Sequence, residues 1–344
     1  MRQRWRLIVP VLLLALAITL IVWRGPNWHG VHDAFSAVTW EWVAAAIGLN
    51  LLSVVTRSLS WDTTIKQSLP KPYPRFRLVF SAFCVGLFAN AVLPGRVGEI
   101  ARVAVLSRHL PRRQGTTATL IGSVFAHRMF DLFPAITLVI WVLATAKIPH
   151  WALTSIGVFF VVGGFLFLSA VLLARRQKWE SDDYGRVRRL LARGRQGLAV
   201  MRSPVAAARA GAFQFSGWVC QLFAVWAAMR AFSIHLPLSA AGLVLVLMNV
   251  ATIFPLWPGN FGLVQIAIAI PLVNYGVPYA HGVAFGIGLQ AIEASVGVGV
   301  GLVFLAREGL SYATLRDMEQ AATDEGADVE QTEEHPPARA GVAG

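Results

Sequence analysis

Long apolar runs separated by short polar segments dominate the sequence. A helix needs about 20 apolar residues to cross the hydrocarbon core of a bilayer. Six runs have this character, at residues 7–23, 40–56, 117–146, 151–174, 210–231 and 280–305. The pattern therefore predicts an all-α integral membrane protein with about six transmembrane helices. No small-residue cleavage site follows the first run, so we expect a retained anchor rather than a signal peptide.

Two further apolar stretches are interrupted by proline and glycine. Leu78–Leu93 breaks at Pro94-Gly95 and resumes as Val97–Ser107, and Leu238–Leu256 breaks at Pro258-Gly259 and resumes as Phe261–Tyr275. Each stretch is predicted to form a re-entrant hairpin of two half-helices, over residues 78–107 and 238–276. Non-helical backbone at membrane depth survives only when it is buried in protein or lines a wet cavity. The two hairpin tips are therefore the predicted location of a functional site.

Basic residues concentrate in alternate connecting segments. Residues 57–113 carry ten of them, Arg57 included, and the loop 175–209 carries ten more, whereas the other connections hold only Arg24, Lys147 and Arg230. Lysine and arginine accumulate on the cytoplasmic side. We therefore expect both termini on the cytoplasmic side of a bacterial inner membrane. The two hairpins are then predicted to enter from opposite faces.

The two halves of the chain share a short motif. PGxxG occurs at residues 94–98 and again at 258–262, and nearly the same interval separates Arg128 from Glu293. Together with the opposite predicted orientations, this favours an inverted repeat, as in many secondary transporters. Chance repetition in a glycine-rich membrane protein is the alternative.

Composition and charge narrow the class of protein. Of 344 residues, 56% are hydrophobic and 14% are charged, which excludes an ordinary water-soluble fold. The net charge of +12 hides an acidic segment, residues 307–344, with nine acids against three arginines. We predict a membrane domain at 1–306 and a disordered cytoplasmic tail at 307–344. Basic residues separated by apolar runs indicate a membrane partner and no nucleic acid.

Six charged side chains lie within the apolar stretches, where a charge at the bilayer centre costs about 3 kcal/mol or more. They are Glu99, Asp131, Glu293, Arg96, Arg102 and Arg128. Each therefore needs a partner or a wet cavity. The functional interpretation is a charge-balanced cavity at mid-membrane. The alternative is a set of ion pairs that only fixes helix packing.

Helical spacing predicts the surroundings of the first three charges. A helix that starts after Pro94-Gly95 would place Arg96, Glu99 and Arg102 on one face at i,i+3 spacing. For Arg102, snorkelling to the cytoplasmic interface is an equal alternative. Arginine binds phosphate through bidentate hydrogen bonds, and a helix N-terminus near Arg96 would favour an anion.

The same spacing predicts partners in the later spans. Asp131 follows Arg128 by three residues and His127 by four, so both could contact its carboxylate. Glu293 follows Gln290 by one turn and has no cation nearby in sequence. We therefore expect its partner to come from another helix, with Arg128 as the candidate.

These motifs resemble those of the lysylphosphatidylglycerol synthase transmembrane family, also described as flippase-like membrane proteins. Asn90-x3-Pro94-Gly95-Arg96-x-Gly98-Glu99-x2-Arg102 is similar to its core motif, and Arg128-x2-Asp131 and Pro258-Gly259-x2-Gly262 are similar to its other two elements. The resemblance covers residues 5–306. It implies a membrane region that moves a lipid between leaflets. Since the segment that follows is an acidic stretch of 38 residues, we expect no aminoacyl-transferring activity.

Two positions depart from the family pattern. His127 stands where a glutamate commonly precedes the arginine, and Gln265 stands where an acid is common after the second Pro-Gly. Both changes remove negative charge from the predicted cavity. They favour a neutral or anionic lipid, such as phosphatidylglycerol, cardiolipin or a polyprenyl-phosphate.

The predicted function is that of a lipid translocator, not an enzyme. We expect no catalytic residue, metal or cofactor: Cys84 and Cys220 lack zinc-type spacing and no GxxxxGK[ST] motif is present. A lipid-modifying membrane enzyme is the second interpretation, although Asp33 and Asp62 stand alone, and a non-transporting scaffold is the third. Homo-oligomerisation stays open. The predicted translocation site consists of Asn90, Pro94, Gly95, Arg96, Gly98, Glu99, Arg102, His127, Arg128, Asp131, Pro258, Gly259, Gly262, Gln265 and Glu293.

Overall fold

The computed structural model describes residues 27–93, 97–111, 116–147, 200, 202–252 and 260–309. The predicted spans 7–23 and 151–174 lie outside the described residues. So do nearly all of the basic loop before residue 202 and the acidic tail beyond residue 309. Over the described ranges the regular structure is entirely helical, in agreement with the predicted fold class.

The described residues form ten α-helices. They are α1 (Trp28–Ser36), α2 (Trp40–Ser68), α3 (Phe76–Val92), α4 (Gly98–Arg108), α5 (Thr116–Thr145), α6 (Pro204–Ala231), α7 (Leu238–Ala251), α8 (Leu263–Val273), α9 (Tyr279–Ala294) and α10 (Gly301–Arg307). A π-helical segment, Ser295–Val300, joins α9 to α10 into one continuous helix, Tyr279–Arg307.

Four of these helices are long and apolar enough to cross a bilayer: α2, α5, α6 and the continuous α9–α10 helix. They correspond to the predicted spans 40–56, 117–146, 210–231 and 280–305. The chain is therefore a multi-pass helical membrane protein. One boundary differs, since α2 continues beyond residue 56 to Ser68 and carries Arg57 inside the helix. Asp62 lies in this continuation of α2 and binds Lys66 one turn later at 2.6 Å.

Helices α2 and α6 pack against each other in antiparallel orientation. The Trp42 and Trp226 rings meet edge to face near one end of the pair, with centroids 5.6 Å apart. Midway, the Ser53 hydroxyl donates to the Gly217 carbonyl at 2.7 Å. Towards the other end, the Ser60 hydroxyl donates to the carbonyl of Ala210 at 2.9 Å. Small residues and serine hydroxyls thus allow the two backbones to approach closely, as is typical inside membranes.

Helices α3 and α4 cross at a pair of glycines. Leu93 has extended backbone angles, φ −94° and ψ 146°, as expected for a residue before proline, and this ends α3. A Cβ on Gly98 would lie 2.0 Å from the carbonyl oxygen of Gly86, and a Cβ on Gly86 would lie 2.7 Å from that of Gly98. Only glycine fits at either position while the helices keep this crossing.

The helices of the second half repeat the spacing of those of the first. Helices α2 to α5 begin at residues 40, 76, 98 and 116, and α6 to α9 begin at 204, 238, 263 and 279. Each helix of the second half therefore begins 164 residues, within two positions, after the corresponding helix of the first half. Ser53 and Gly217 are separated by the same 164 residues. The described residues form two large apolar cores, one made mainly by each half, and each also includes residues from the other half, such as Val296 in the first core and Ala46 in the second. Trp61 is fully buried in the core of the first half, and Phe285 is fully buried in that of the second.

Candidate functional site

Arg128 on α5 joins two carboxylates at the predicted membrane depth. Its Nε donates to Glu99 Oε1 on α4 at 2.7 Å, and its Nη2 also contacts Glu99. Its Nη1 donates to Asp131 Oδ2 at 3.1 Å, which confirms the i,i+3 pair predicted from the sequence. The Arg128 side chain is nevertheless 48% exposed. The pair therefore links α4 to α5 while it remains accessible.

Asp131 extends this network to α6. Its Oδ1 accepts a hydrogen bond from Trp218 Nε1 at 2.9 Å and a second from Gln214 Nε2. Gln214 is fully buried, and its Oε1 has no hydrogen-bond partner in the part of the chain that the structure describes. With the contact from Arg128, both oxygens of the aspartate are engaged. The carboxylate therefore fixes α5 against α6.

A second network connects α2, α6 and α9. Arg57 Nη2 donates to Gln221 Oε1 at 2.7 Å, and Gln221 Nε2 donates to Glu293 Oε1 at 3.3 Å. The Arg57 guanidinium also lies over the Trp218 ring, 5.2 Å from its centroid, next to the Asp131 network. The expectation that Arg128 pairs with Glu293 is wrong, because Arg128 is already bound by two acids. Gln221 is the observed partner.

Arg102 is placed differently from both sequence-based alternatives. Its guanidinium lies 4.8 Å from the centroid of Trp61 and 5.6 Å from that of Phe83. The side chain is only 4% exposed, so it does not snorkel to the interface. Its Nε and Nη2 have no hydrogen-bond partner among the described residues. The predicted pair with Glu99 is not formed, since that carboxylate binds Arg128 on the adjacent helix.

His127 does not contact Asp131 as its i,i+4 spacing suggested. The His127 ring is buried, and its Nε2 lies 3.2 Å from the backbone oxygen of Arg57. The ring also meets Phe83 edge to face, with centroids 6.0 Å apart. His127 therefore packs α5 against α2 and α3, whereas the carboxylate of Asp131 is taken by groups on α5 and α6.

The remaining described site residues shape the ends of α4 and α8. Asn90 Oδ1 accepts the backbone N–H of Gly98 at 2.8 Å, where α4 begins. Gly262 has a φ of +89°, which favours glycine, and its N–H donates to Gln265 Oε1 at 2.6 Å. Gln265 also donates to Gln290 on α9. These contacts stabilise the helix starts and involve none of the acids.

Five predicted site residues lie outside the described residues, so their placement stays a prediction. They are Pro94, Gly95, Arg96, Pro258 and Gly259. The contribution of the hairpin tips to the site is therefore also a prediction. Among the residues that are described, no three His, Cys, Asp or Glu side chains lie close enough to hold a metal ion.

Sequence reasoning missed Arg57, Gln214, Trp218 and Gln221. Arg57 was interpreted as part of a basic cytoplasmic flank, whereas the structure places it inside α2. The other three lie on α6, at least 72 residues from the acid or arginine that they contact. One signal was available: Gln221 follows Arg57 by 164 residues, the offset between the two PGxxG motifs.

An apolar groove lies beside the Glu99–Arg128 pair. It runs between α4 and α5, has a volume of about 450 Å³, and is lined in its middle by residues such as Ile100, Val103 and Phe125. The ion pair is at one end, and Ser107 and Thr117 are at the other. The groove is therefore apolar along its length and charged at one end, which matches the apolar chain and the charged headgroup of a lipid.

Comparison with known proteins agrees with the resemblance seen in the motifs. Residues 7–301 match the family described as the lysylphosphatidylglycerol synthase TM region. A UPF0104 membrane protein from Methanothermobacter thermautotrophicus is 22% identical over 291 residues, which cover 76% of this chain and 81% of the relative. No solved structure matches the chain. Since the family match spans most of the sequence, this chain belongs to the family of the lysylphosphatidylglycerol synthase transmembrane region.

Proposed function

We propose that this protein is a lipid translocator of the cytoplasmic membrane. Its substrate would be a phosphate-bearing lipid, an anionic phospholipid or a polyprenyl-phosphate, which it moves between leaflets without covalent chemistry. The observation that carries the proposal is the half-exposed Glu99–Arg128 pair at the end of the apolar groove between α4 and α5.

The exposure of Arg128 argues for a ligand rather than for packing alone. Burial of an ion pair costs desolvation energy that can exceed the attraction between its charges, so apolar residues often replace a pair that only holds helices together without loss of stability. Here the guanidinium is half accessible and adjoins a groove of a size typical of small-molecule sites, about 300–1,000 Å³. A lipid phosphate could replace Glu99 as the partner of Arg128 and accept two parallel hydrogen bonds from its guanidinium. An acyl chain of the same lipid would then occupy the groove.

The register of the two halves supports an inverted repeat around this site. Antiparallel α2 and α6 contact each other at Ser53 and Gly217, which are themselves 164 residues apart. Arg57 and Gln221 are a second such pair. A pseudo-two-fold axis that exchanges the halves would pass between α2 and α6 at this level. Transporters with inverted repeats bind their substrates at the repeat interface, near the midplane.

The direct test is leaflet exchange of a fluorescent phosphatidylglycerol in vesicles that contain the purified protein. Arg128→Ala should reduce exchange to the level of protein-free vesicles, and Arg128→Lys should restore only part of it, because lysine lacks the bidentate fork. Arg209→Ala is the matched control, since Arg209 is exposed on α6 and stacks on Phe213 instead of an acid. Exchange that is equal in all four proteins would refute the proposal.

A further inference from the structure

The two halves differ at one corresponding seam. When the offset between the halves is applied, the groove between α4 and α5 corresponds to the contact between α8 and α9. Ile121 and Phe125, on the groove wall, are 57% and 58% exposed. Their counterparts Phe285 and Leu289 are 0% and 1% exposed. The first seam is therefore open, and the second is closed.

Glycines allow the closed seam to pack tightly. A Cβ on Gly282 of α9 would lie 3.1 Å from the Cβ of Ala269 on α8. One turn later, a Cβ on Gly286 would lie 3.2 Å from the Cα of Gln265. Small residues four positions apart are a common means of close helix packing in membranes.

The Glu99–Arg128 ion pair belongs to the first half alone. At the same offset, Glu99 and Arg128 correspond to Leu263 and Ile292. A lipid phosphate bound to Arg128 would therefore find no equivalent cation at the closed seam. This arrangement fits one headgroup site with a separate lateral opening towards each half of the protein.

We propose that the groove between α4 and α5 is the lateral binding cleft of the lipid, and that the seam between α8 and α9 is its closed counterpart. One acyl chain lies in the groove with the phosphate on Arg128. The seam opens when the groove closes, and this releases the lipid on the other side. The proposal deepens the translocator function and rests on it.

A disulfide across the closed seam tests the second opening. Ala269→Cys and Gly282→Cys place two Cβ atoms close to the range of about 3.5–4.5 Å that disulfides adopt. The two substitutions are combined in one protein in which Cys84 and Cys220 are replaced by alanine. We expect oxidation to reduce exchange of fluorescent phosphatidylglycerol to the protein-free level, and reductant to restore it. Recovery on reduction shows that the locked protein is folded.

A second disulfide on α9 is the matched control. A Cβ on Gly30 of α1 would lie 3.3 Å from the Cβ of Ala280, a geometry like that of the seam pair. Gly30→Cys with Ala280→Cys ties α9 to α1 and leaves the seam free to open. Its oxidised form should exchange lipid as fast as its reduced form.

The groove itself is tested with a phosphatidylglycerol that carries a diazirine in one acyl chain. Photolysis should label α4 and α5 in the oxidised seam-locked protein, because the groove stays open in that state. Ile121→Trp should abolish the label by filling the groove. Ile140→Trp should not, since Ile140 is similarly exposed on α5 but lies outside the groove.

The outcomes separate the two proposals. If the cysteine-free parent exchanges lipid and the oxidised seam pair exchanges it just as fast, the seam is not an opening and this inference is wrong. Labelling that Ile121→Trp leaves unchanged would equally overturn it. If neither the unsubstituted protein nor the cysteine-free parent exchanges lipid, the translocator function is refuted and this inference falls with it.

Discussion

The position of Arg57 depends on a glycine of the facing helix. A Cβ on Gly217 of α6 would lie 2.7 Å from Arg57 Cγ and 3.1 Å from Thr56 Oγ1. Gly217→Ala therefore displaces the stem of Arg57 without removing any charged group. Because Arg57 holds Gln221, which in turn contacts Glu293, we expect the change to disconnect the second network and slow leaflet exchange.

The matched control for this substitution lies on the same helix. A Cβ on Gly211 would have only Phe130 nearby, with the closest atom at 3.8 Å, an ordinary contact. Both substitutions gain the same helix propensity, so this gain cancels when they are compared. Overpacking costs about 1–3 kcal/mol. Loss of the charged hydrogen bond to Gln221 would add about 1.5–3 kcal/mol.

We therefore expect the free energy of unfolding of Gly217→Ala to be lower than that of Gly211→Ala by about 1–3 kcal/mol if Arg57 keeps its hydrogen bond to Gln221. The difference should be larger if that hydrogen bond is lost. The free energy of unfolding is measured by detergent titration in mixed micelles, and lipid exchange is measured in vesicles at a temperature where both variants remain folded. Equal stability and equal exchange in the two variants would falsify the assigned packing of α2 on α6.

Three further changes test individual contacts. Gly98→Ala should prevent stable folding, because its Cβ would overlap the backbone of Gly86, whereas Gly48→Ala, with no atom within 4 Å of its Cβ, should fold normally by size-exclusion chromatography. Arg102→Lys should lower the free energy of unfolding by about 1–2 kcal/mol, since lysine stacks poorly on the two aromatic rings; an unchanged value would argue against this stacking. Glu308 binds Ser81 at 2.6 Å and His109 at 3.2 Å, so Glu308→Ala should expose the end of α10 to protease. An unaltered rate of proteolysis would contradict this anchoring.

The ends of helices were accessible to sequence reasoning because their causes are local. Pro94 and the glycine motifs predicted a break after residue 93, and α3 ends at Val92. The span predicted at 117–146 appears as Thr116–Thr145. The continuation of α2 beyond residue 56 was missed, because the stabilising partner of Arg57 lies on another helix and a basic residue suggests a loop.

Which residues belong to the site was easier to predict than which of them contact each other. Glu99, Arg128 and Asp131 were selected because charge at membrane depth is costly, and the structure brings these three together. Helical spacing shows which side chains share a face but not which neighbouring helix they meet. It therefore paired Glu99 with Arg102 incorrectly. The repeat offset contains the missing information, since it connects Arg57 to Gln221.

The long separation between Arg57 and Gln221 has a consequence for biosynthesis. At about 5–20 residues per second, the ribosome needs roughly 8–30 s to make the 164 residues between them. During this interval α2 occupies the membrane with an arginine that lacks its amide partner, at a cost of about 3 kcal/mol. Assembly of the site is therefore ordered by translation: Arg128 can join Glu99 early, Gln221 reaches Arg57 later, and the contact with Glu293 forms last.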